Sequence, residues 1–247
     1  MHWNTAITDV QAEKECIRGY DLQELIQKKS FVETIFLLLR GELPNENETR
    51  MLNAIFTAAI DHGPGTASGM TVRIVAAAKN SLHTSVAAGI LAMGERHGSS
   101  IEGAAKFFQE HIGEQDIESW IKKMKERKER VPGYGHAVLT HDRRADGMFT
   151  MARETGFYGR HCLFAVEVGE ILNTASSKKL PMNVDGAMAA ILSDMGFPWD
   201  IMKGFFIIAR VPGLVAHAYE EMTEGDGLRR LAEDDVHYTG QKERSLQ

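Results

Sequence analysis

Apolar residues recur along most of the chain at the three- and four-residue spacing of an amphipathic α-helix, and clear two-residue alternation is hard to find. This pattern predicts a mostly α-helical fold. Glycine and proline interrupt it, because these residues resist or end helices. Helices are predicted at 22–27, 31–39, 48–60, 71–78, 82–93, 101–111, 117–128, 148–154, 160–172, 186–195, 201–209 and 213–222.

Five glycine-containing corners separate predicted helices, and functional residues are expected at them. The corners are GELP (41–44), DHGPG (61–65), HGSS (97–100), VPGYGH (131–136) and GFP (196–198).

At 247 residues the chain is long enough to bury a large core. Its hydrophobic fraction of 43% and charged fraction of 25% are those of an ordinary globular protein.

The net charge of −6 argues against nonspecific nucleic-acid binding, which needs a broad basic surface. An anionic substrate must therefore meet a local basic pocket. The basic run at 121–130 is either a solvated helix face with i,i+4 pairs or a cationic flank for the phosphates of a nucleotide-bearing cofactor. The N-terminus does not resemble a signal peptide and no run of about 18 apolar residues is found, so we expect a cytoplasmic protein without a membrane segment.

Three histidines, His62, His97 and His136, lie at corners, and Asp185 lies among small apolar residues. Histidine titrates near neutrality and an apolar setting raises the pKa of a carboxyl, so this set could move protons to and from carbon and oxygen. Structural histidines and a helix-capping aspartate are the alternatives. The chain has no HExxH motif, and its two cysteines are far apart, which argues against a metal site or a disulfide framework.

Two further features suggest a binding site. Gly133 and Gly135 leave room for a ligand to approach the backbone, although a simple tight turn would also need them. Arg210 lies in an apolar run, where an unpaired guanidinium is costly, so it should meet a carboxylate of the protein or of a ligand. Two further arginines, Arg144 after the PGYGH loop and Arg230 near the end of the chain, complete the set.

Four segments in this order resemble the citrate synthase family: 17–44, VPGYGHAVL (131–139), NVDGA (183–187) and the stretch around Arg210. The short helix between GELP and DHGPG, together with DHGPGTASG, GERHGSSIEGAAKFF and SKKLPMNVDG, resembles the branch that contains citryl-CoA lyases and the C-terminal module of ATP-citrate lyase. The resemblance implies a shortened all-α, citrate-synthase-like fold. It would form a single domain over 1–247 with a large helical core and a small helical lobe within about 131–220.

The resemblance also assigns roles to individual residues. His136 would exchange a proton with the substrate hydroxyl, Asp185 with the acetyl carbon, and His97 would hydrogen-bond the thioester oxygen. His62, Arg144, Arg210 and Arg230 would hold carboxylates, Arg230 from the neighbouring subunit of a homodimer or larger homo-oligomer that shares its active sites. The implied coenzyme A contacts are Val131, Gly133, Tyr134, Gly135 and Lys179, with no metal.

The implied activity is that of a citryl-CoA lyase, which cleaves citryl-CoA to acetyl-CoA and oxaloacetate. His97 and the PGYGHA spelling are those of the synthases, so citrate or 2-methylcitrate synthase is the alternative. A non-catalytic subunit that binds coenzyme A or serves in assembly, and a metal-dependent lyase, stay open as further classes. The shorter chain favours the lyase, because a synthase must also hydrolyse the thioester.

Overall fold

The computed structural model describes residues 2–95, 97–98, 100–114, 116–136, 140–176 and 179–245. Eleven α-helices lie in this part of the chain, which confirms the all-α prediction. They are α1 (Leu22–Lys28), α2 (Phe31–Arg40), α3 (Glu46–Ala59), α4 (Ala67–Ala77), α5 (Leu82–Leu91), α6 (Ser100–His111), α7 (Ile117–Glu126), α8 (Arg143–Thr155), α9 (Arg160–Thr174), α10 (Val184–Asp194) and α11 (Met202–Glu224).

Two helices, α4 and α8, begin four and five residues earlier than the apolar pattern predicts, because polar residues cap them. Thr66 accepts a hydrogen bond from the Gly69 amide at 3.1 Å, so α4 starts at Ala67 and not at 71. Asp142 accepts from the Arg144 amide at 3.1 Å, so α8 starts at Arg143 and not at 148. Arg144 therefore lies in the first turn of a helix, which gives its side chain a defined direction.

A small antiparallel sheet near the N-terminus was not predicted. It consists of β1 (Thr8–Val10), β2 (Glu15–Ile17) and β3 (Tyr20–Asp21), in the order β1-β2-β3. Arg18 and Gly19 connect β2 to β3 with φ angles of 49° and 86°, as a tight two-residue hairpin turn requires. Strands of two or three residues are too short to show a two-residue period.

The prediction of separate helices at 201–209 and 213–222 was wrong, since α11 runs continuously through Pro212. Proline costs the helix one backbone hydrogen bond, and the flanking apolar residues keep it helical by packing. Within the described residues, the Trp199–Glu224 segment is long and apolar enough to cross a membrane by length and composition alone. Its most apolar window has a mean hydropathy of 1.4 and is 44% buried in the fold, and core helices of globular proteins meet the same criterion.

The chain divides into two compact units. The first contains residues 1–61 and 93–212, and α10 is its central helix, with nine of eleven residues buried among α6, α8 and α9. The second contains 62–92 and 213–247, where α4 and α5 pack against each other and Gly89 allows the close approach of Val72 and Leu214. The single domain and the small lobe at 131–220 stay predictions.

Candidate active site

The first unit joins two loops that are far apart in the sequence. The Gly135 amide donates to the Pro181 carbonyl at 2.7 Å, and the Asn183 amide donates to the Gly133 carbonyl at 3.0 Å. The Asn183 side chain also donates to the Gly135 carbonyl at 2.9 Å. These bonds place the VPGYGH loop directly on the segment that leads into α10.

Two glycines permit this contact. A Cβ atom on Gly186 would lie 2.4 Å from the Gly133 carbonyl oxygen, and one on Gly133 would lie 2.8 Å from the Gly186 Cα atom. Gly133 also has a φ of +88°, which side-chain-bearing residues rarely adopt. The first turn of α10 can therefore touch the loop backbone only because both positions are glycine.

Asp185 lies in this first turn. Asn183 caps α10 by accepting from the Gly186 amide at 3.1 Å, so the cap role that the sequence left open for Asp185 belongs to Asn183. Among the described residues, the buried Oδ1 atom of Asp185 accepts no hydrogen bond. Burial raises the pKa of Asp185 to about 6, although Arg210 and Arg144 attract its charge. A carboxyl in this state can be protonated near neutral pH and can release its proton to a nearby group.

Arg144 is held by Asp142, a residue that sequence reasoning missed. The Asp142 side chain is 1% exposed and receives Nε and Nη2 of Arg144 at 2.9 and 2.8 Å. The available signal was an acid two residues before an arginine, but only the fold shows that Asp142 is buried. The fixed guanidinium is suited to bind a carboxylate.

Arg210 is also buried, at 2% exposure. Its Nε donates to the Ala59 carbonyl at 2.8 Å, and its guanidinium lies 4.8 Å from the ring centre of Phe206. Burial lowers the pKa of Arg210, whereas Asp61 and Asp185 raise it through their negative charges. The expected protein carboxylates are thus present nearby, and one of them is the candidate catalytic Asp185.

His97 packs on the same aromatic ring as Arg210. The imidazole meets Phe206 edge-on, with the ring centres 6.3 Å apart. The His97 amide donates to the Gly94 carbonyl at 2.8 Å. A Cβ atom on Gly98 would lie 2.8 Å from the Phe206 ring. Phe206, which the sequence did not single out, therefore supports both His97 and Arg210.

His136 is half-buried and directly follows Gly135, whose amide and carbonyl are bonded to the segment before α10. Arg144 and Arg210 both act electrostatically on Asp185, and Phe206 joins His97 to Arg210. The first unit therefore brings five predicted site residues into one region. They are His97, His136, Arg144, Asp185 and Arg210.

The predicted coenzyme A contacts lie on or near the VPGYGH loop. The amides of Gly133 and Gly135 donate to Ser100 Oγ at 3.3 Å and to the Pro181 carbonyl at 2.7 Å, so both of these N–H groups are already engaged within the protein. The half-buried Tyr134 donates through its hydroxyl to the Ala165 carbonyl at 2.5 Å. Val131 is buried, whereas Lys179 is exposed.

Two predicted residues belong to the second unit. His62 is exposed in the segment before α4, and Arg230 is exposed in the segment after α11. The neighbouring Arg229 is bound to Glu221 through Nε at 2.7 Å and Nη2 at 3.0 Å. The carboxylate-binding roles of His62 and Arg230 stay predictions.

The described residues contain no group of three or more His, Cys, Asp or Glu side chains that could hold a metal ion. The chemistry of the region is that of a proton donor and acceptor set beside two guanidinium groups. Such a set suits a reaction in which carbon and oxygen exchange protons while carboxylates are held in place.

The family model of the citrate synthase C-terminal domain matches residues 2–52 and 45–231. The chain belongs to the citrate synthase family. The predicted resemblance is thereby confirmed. Citrate synthase 2 of Bacillus subtilis is 30% identical over 227 residues, which cover 90% of this chain and 59% of that protein. ATP-citrate synthase beta chain protein 1 of Arabidopsis thaliana is 26% identical, over 96% of this chain and 42% of its own.

Solved structures agree with this assignment. Citryl-CoA lyase from Hydrogenobacter thermophilus is 46% identical, with a TM-score of 0.91, and the match covers 99% of this chain and 97% of that one. ATP citrate lyase from Methanothrix soehngenii, in complex with citrate and coenzyme A, is 25% identical with a TM-score of 0.87, over 100% of this chain and 43% of that one. The chain thus spans about half the length of the curated relatives but nearly all of the lyase.

Proposed function

We propose that the protein is a citryl-CoA lyase, which cleaves citryl-CoA to acetyl-CoA and oxaloacetate. The observation that carries this proposal is the match to the Hydrogenobacter thermophilus citryl-CoA lyase, at 46% identity over 97% of that chain. The grouping of His97, His136, Asp185 and two arginines in the first unit supports it, because each step of the cleavage needs one of these groups.

In the proposed reaction, His136 takes the proton from the tertiary hydroxyl of citryl-CoA. The resulting carbonyl forms as the carbon-carbon bond breaks, and the electron pair moves into the thioester as an enolate. His97 donates a hydrogen bond to the enolate oxygen, where the negative charge develops. Asp185 then protonates the enolate carbon. Its pKa of about 6 leaves a useful fraction of the acid protonated near neutral pH.

The guanidinium groups of Arg144 and Arg210 bind the carboxylates of the oxaloacetate portion, and the carboxylate-binding roles of His62 and Arg230 stay predictions. Because this contact exists in the substrate as well as in the transition state, replacing Arg144 with glutamine should mainly raise KM. Equal losses in kcat would contradict this division of roles. Coenzyme A takes part as the thioester substrate and product, bound along Val131–Gly135 and by Lys179, and no step requires a metal.

The deciding experiment follows oxaloacetate release from citryl-CoA through malate dehydrogenase, with the His136→Ala variant measured in parallel. Rapid release by the wild type and a loss of about 10²–10⁴-fold in the variant would support the lyase and its base. Release of free citrate instead would identify a synthase. The absence of any reaction would contradict the proposed activity.

A citrate or 2-methylcitrate synthase is the second candidate, favoured by the 30% identity to Citrate synthase 2 of Bacillus subtilis. Microscopic reversibility makes the same residues serve both directions, so the assay must compare acetyl-CoA and propionyl-CoA with oxaloacetate and measure thiol release. A protein that neither reacts nor binds coenzyme A would instead be a non-catalytic assembly subunit. Loss of activity on treatment with a chelator would indicate a metal-dependent lyase.

We propose a cytoplasmic homodimer or larger homo-oligomer in which Arg230 of one subunit reaches the active site of its neighbour. Mixing the inactive variants His136→Ala and Arg230→Ala tests this arrangement. If the sites are shared, a mixed dimer contains one site with both residues intact, and activity returns on mixing. Two variants that stay inactive after subunit exchange, shown by mass spectrometry, would contradict a shared site.

A further inference from the structure

Asp142 is buried at a junction of two helices and a guanidinium. Its Oδ1 atom accepts from the amide and Nε of Arg144 at 3.1 and 2.9 Å. Its Oδ2 atom accepts from Nη2 of Arg144 at 2.8 Å and from the Val184 amide at 3.0 Å. One carboxylate therefore caps α8, holds the Arg144 side chain and binds the first turn of α10.

The charge of Asp142 is maintained by these contacts. Burial raises the pKa of Asp142, but the hydrogen bonds and positive charge of Arg144 and the Val184 amide together hold it below its usual range. The side chain is 1% exposed, so a charged carboxylate here would be costly without such partners. Asp142 is therefore an ionised acceptor whose geometry is fixed on both of its oxygens.

We infer that Asp142 is a positioning residue for the reaction, which sets the Arg144 guanidinium and the first turn of α10 in one fixed relation. The residue after Val184 in that turn is Asp185, so the carboxylate contact and the proton donor are both positioned by Asp142. This role rests on the proposed function of Arg144 and Asp185. Asp142 itself acts only through these two residues.

The electrostatics give the role a signature that a purely structural contact lacks. The negative charge of Asp142 raises the pKa of Asp185, and Arg144 and Arg210 lower it. In the cleavage direction Asp185 delivers a proton, so the cleavage activity of the enzyme is lost as the pH rises through the pKa of Asp185. Asp142→Asn should move this alkaline limb to lower pH, and Arg144→Gln should move it to higher pH.

The experiment measures pH profiles of kcat and KM for citryl-CoA in Asp142→Asn, Arg144→Gln and the control Asp146→Asn. Asparagine keeps the shape of Asp142 and one oxygen, while Asp146 lies four residues further on α8, and its side chain is 58% exposed. We expect kcat/KM to fall on the order of 10²-fold in Asp142→Asn, as for a misplacement of about 1 Å, and to stay near the wild-type value in the control. Oxaloacetate binding, measured by calorimetry, should weaken in Asp142→Asn and stay unchanged in Asp146→Asn.

Opposite shifts of the alkaline limb support the inference, and a limb that moves in neither variant of an active enzyme overturns it. If Asp142→Asn fails to fold, Asp142→Glu takes its place, because it keeps the charge but moves the carboxylate; wild-type kcat, KM and oxaloacetate binding in that variant would overturn the inference. A wild type that binds oxaloacetate but does not cleave citryl-CoA refutes the lyase only, because the binding comparison still decides the role of Asp142. A wild type that does not bind oxaloacetate refutes both.

Discussion

At the scale of single residues, Asp185 combines a cost in stability with a role in the proposed reaction. Its pKa is raised from 3.8 to about 6, so the folded state disfavours the ionised form. This cost is absent below pH 3.8, grows as the pH rises and is complete above about 6. Asp185→Asn should therefore stabilise the protein at pH 7.5 by roughly 1–3 kcal/mol and lower the cleavage rate by about 10²–10⁴-fold.

Thermal unfolding at several pH values measures the first effect. The gain in Tm of Asp185→Asn should shrink as the pH falls from about 6 towards 3.8, and the exposed Asp146→Asn variant should show no such trend. A variant that is less stable than the wild type at pH 7.5 would mean that the carboxylate is a stabilising group in the native protein.

At the scale of elements, the contact between the VPGYGH loop and α10 depends on Gly186. Gly186→Ala places a Cβ 2.4 Å from the Gly133 carbonyl, which forces the loop that carries His136 away from α10. We expect a loss of roughly 1–3 kcal/mol in the free energy of unfolding and a fall in activity on the order of 10²-fold.

Gly147→Ala is the matched control, because Gly147 lies within α8 and a Cβ there meets nothing within 4 Å. Alanine favours a helix over glycine by roughly 0.5–1 kcal/mol, so this variant should be at least as stable as the wild type and fully active. Urea unfolding with the oxaloacetate assay makes the comparison. Similar behaviour of the two variants would show that the loop contact is dispensable.

At the scale of the whole molecule, Glu221 forms ion pairs with two arginines of the second unit. Its side chain is fully buried and pairs with Nε of Arg73 and Nε of Arg229, each at 2.7 Å. Hydrogen bonding by Arg229 is the largest cause that holds the pKa of Glu221 below 4.5, and Arg73 adds to it. This stabilisation is complete above pH 4.5 and is lost as the pH falls through the lowered pKa.

Glu221→Gln should therefore destabilise the protein by roughly 1–3 kcal/mol at pH 7, and the difference from wild type should narrow below pH 4.5. Glu220→Gln is the control, since that side chain is 51% exposed and exposed pairs contribute little. Tm measured across this pH range distinguishes the two. A constant difference across pH would indicate lost packing rather than lost charge.

The sequence by itself determined the helical class, most helix positions and the family, because apolar periodicity and short motifs are local in the chain. It could not show the three-stranded sheet, whose strands have two or three residues, or the continuity of α11 through Pro212, which depends on packing. It identified Arg144 and Asp185 but not Asp142, since burial of an acid is a property of the surroundings and not of its neighbours in the chain.

Only the tertiary structure decided which predicted residues meet. The bond from Asn183 to Gly135 joins positions 48 residues apart, and the bond from Val184 to Asp142 joins positions 42 apart. Such contacts depend on how α6, α8, α9 and α10 pack, which the pattern along one helix does not specify. The raised pKa of Asp185 follows from the same packing, because burial requires the whole first unit to surround it.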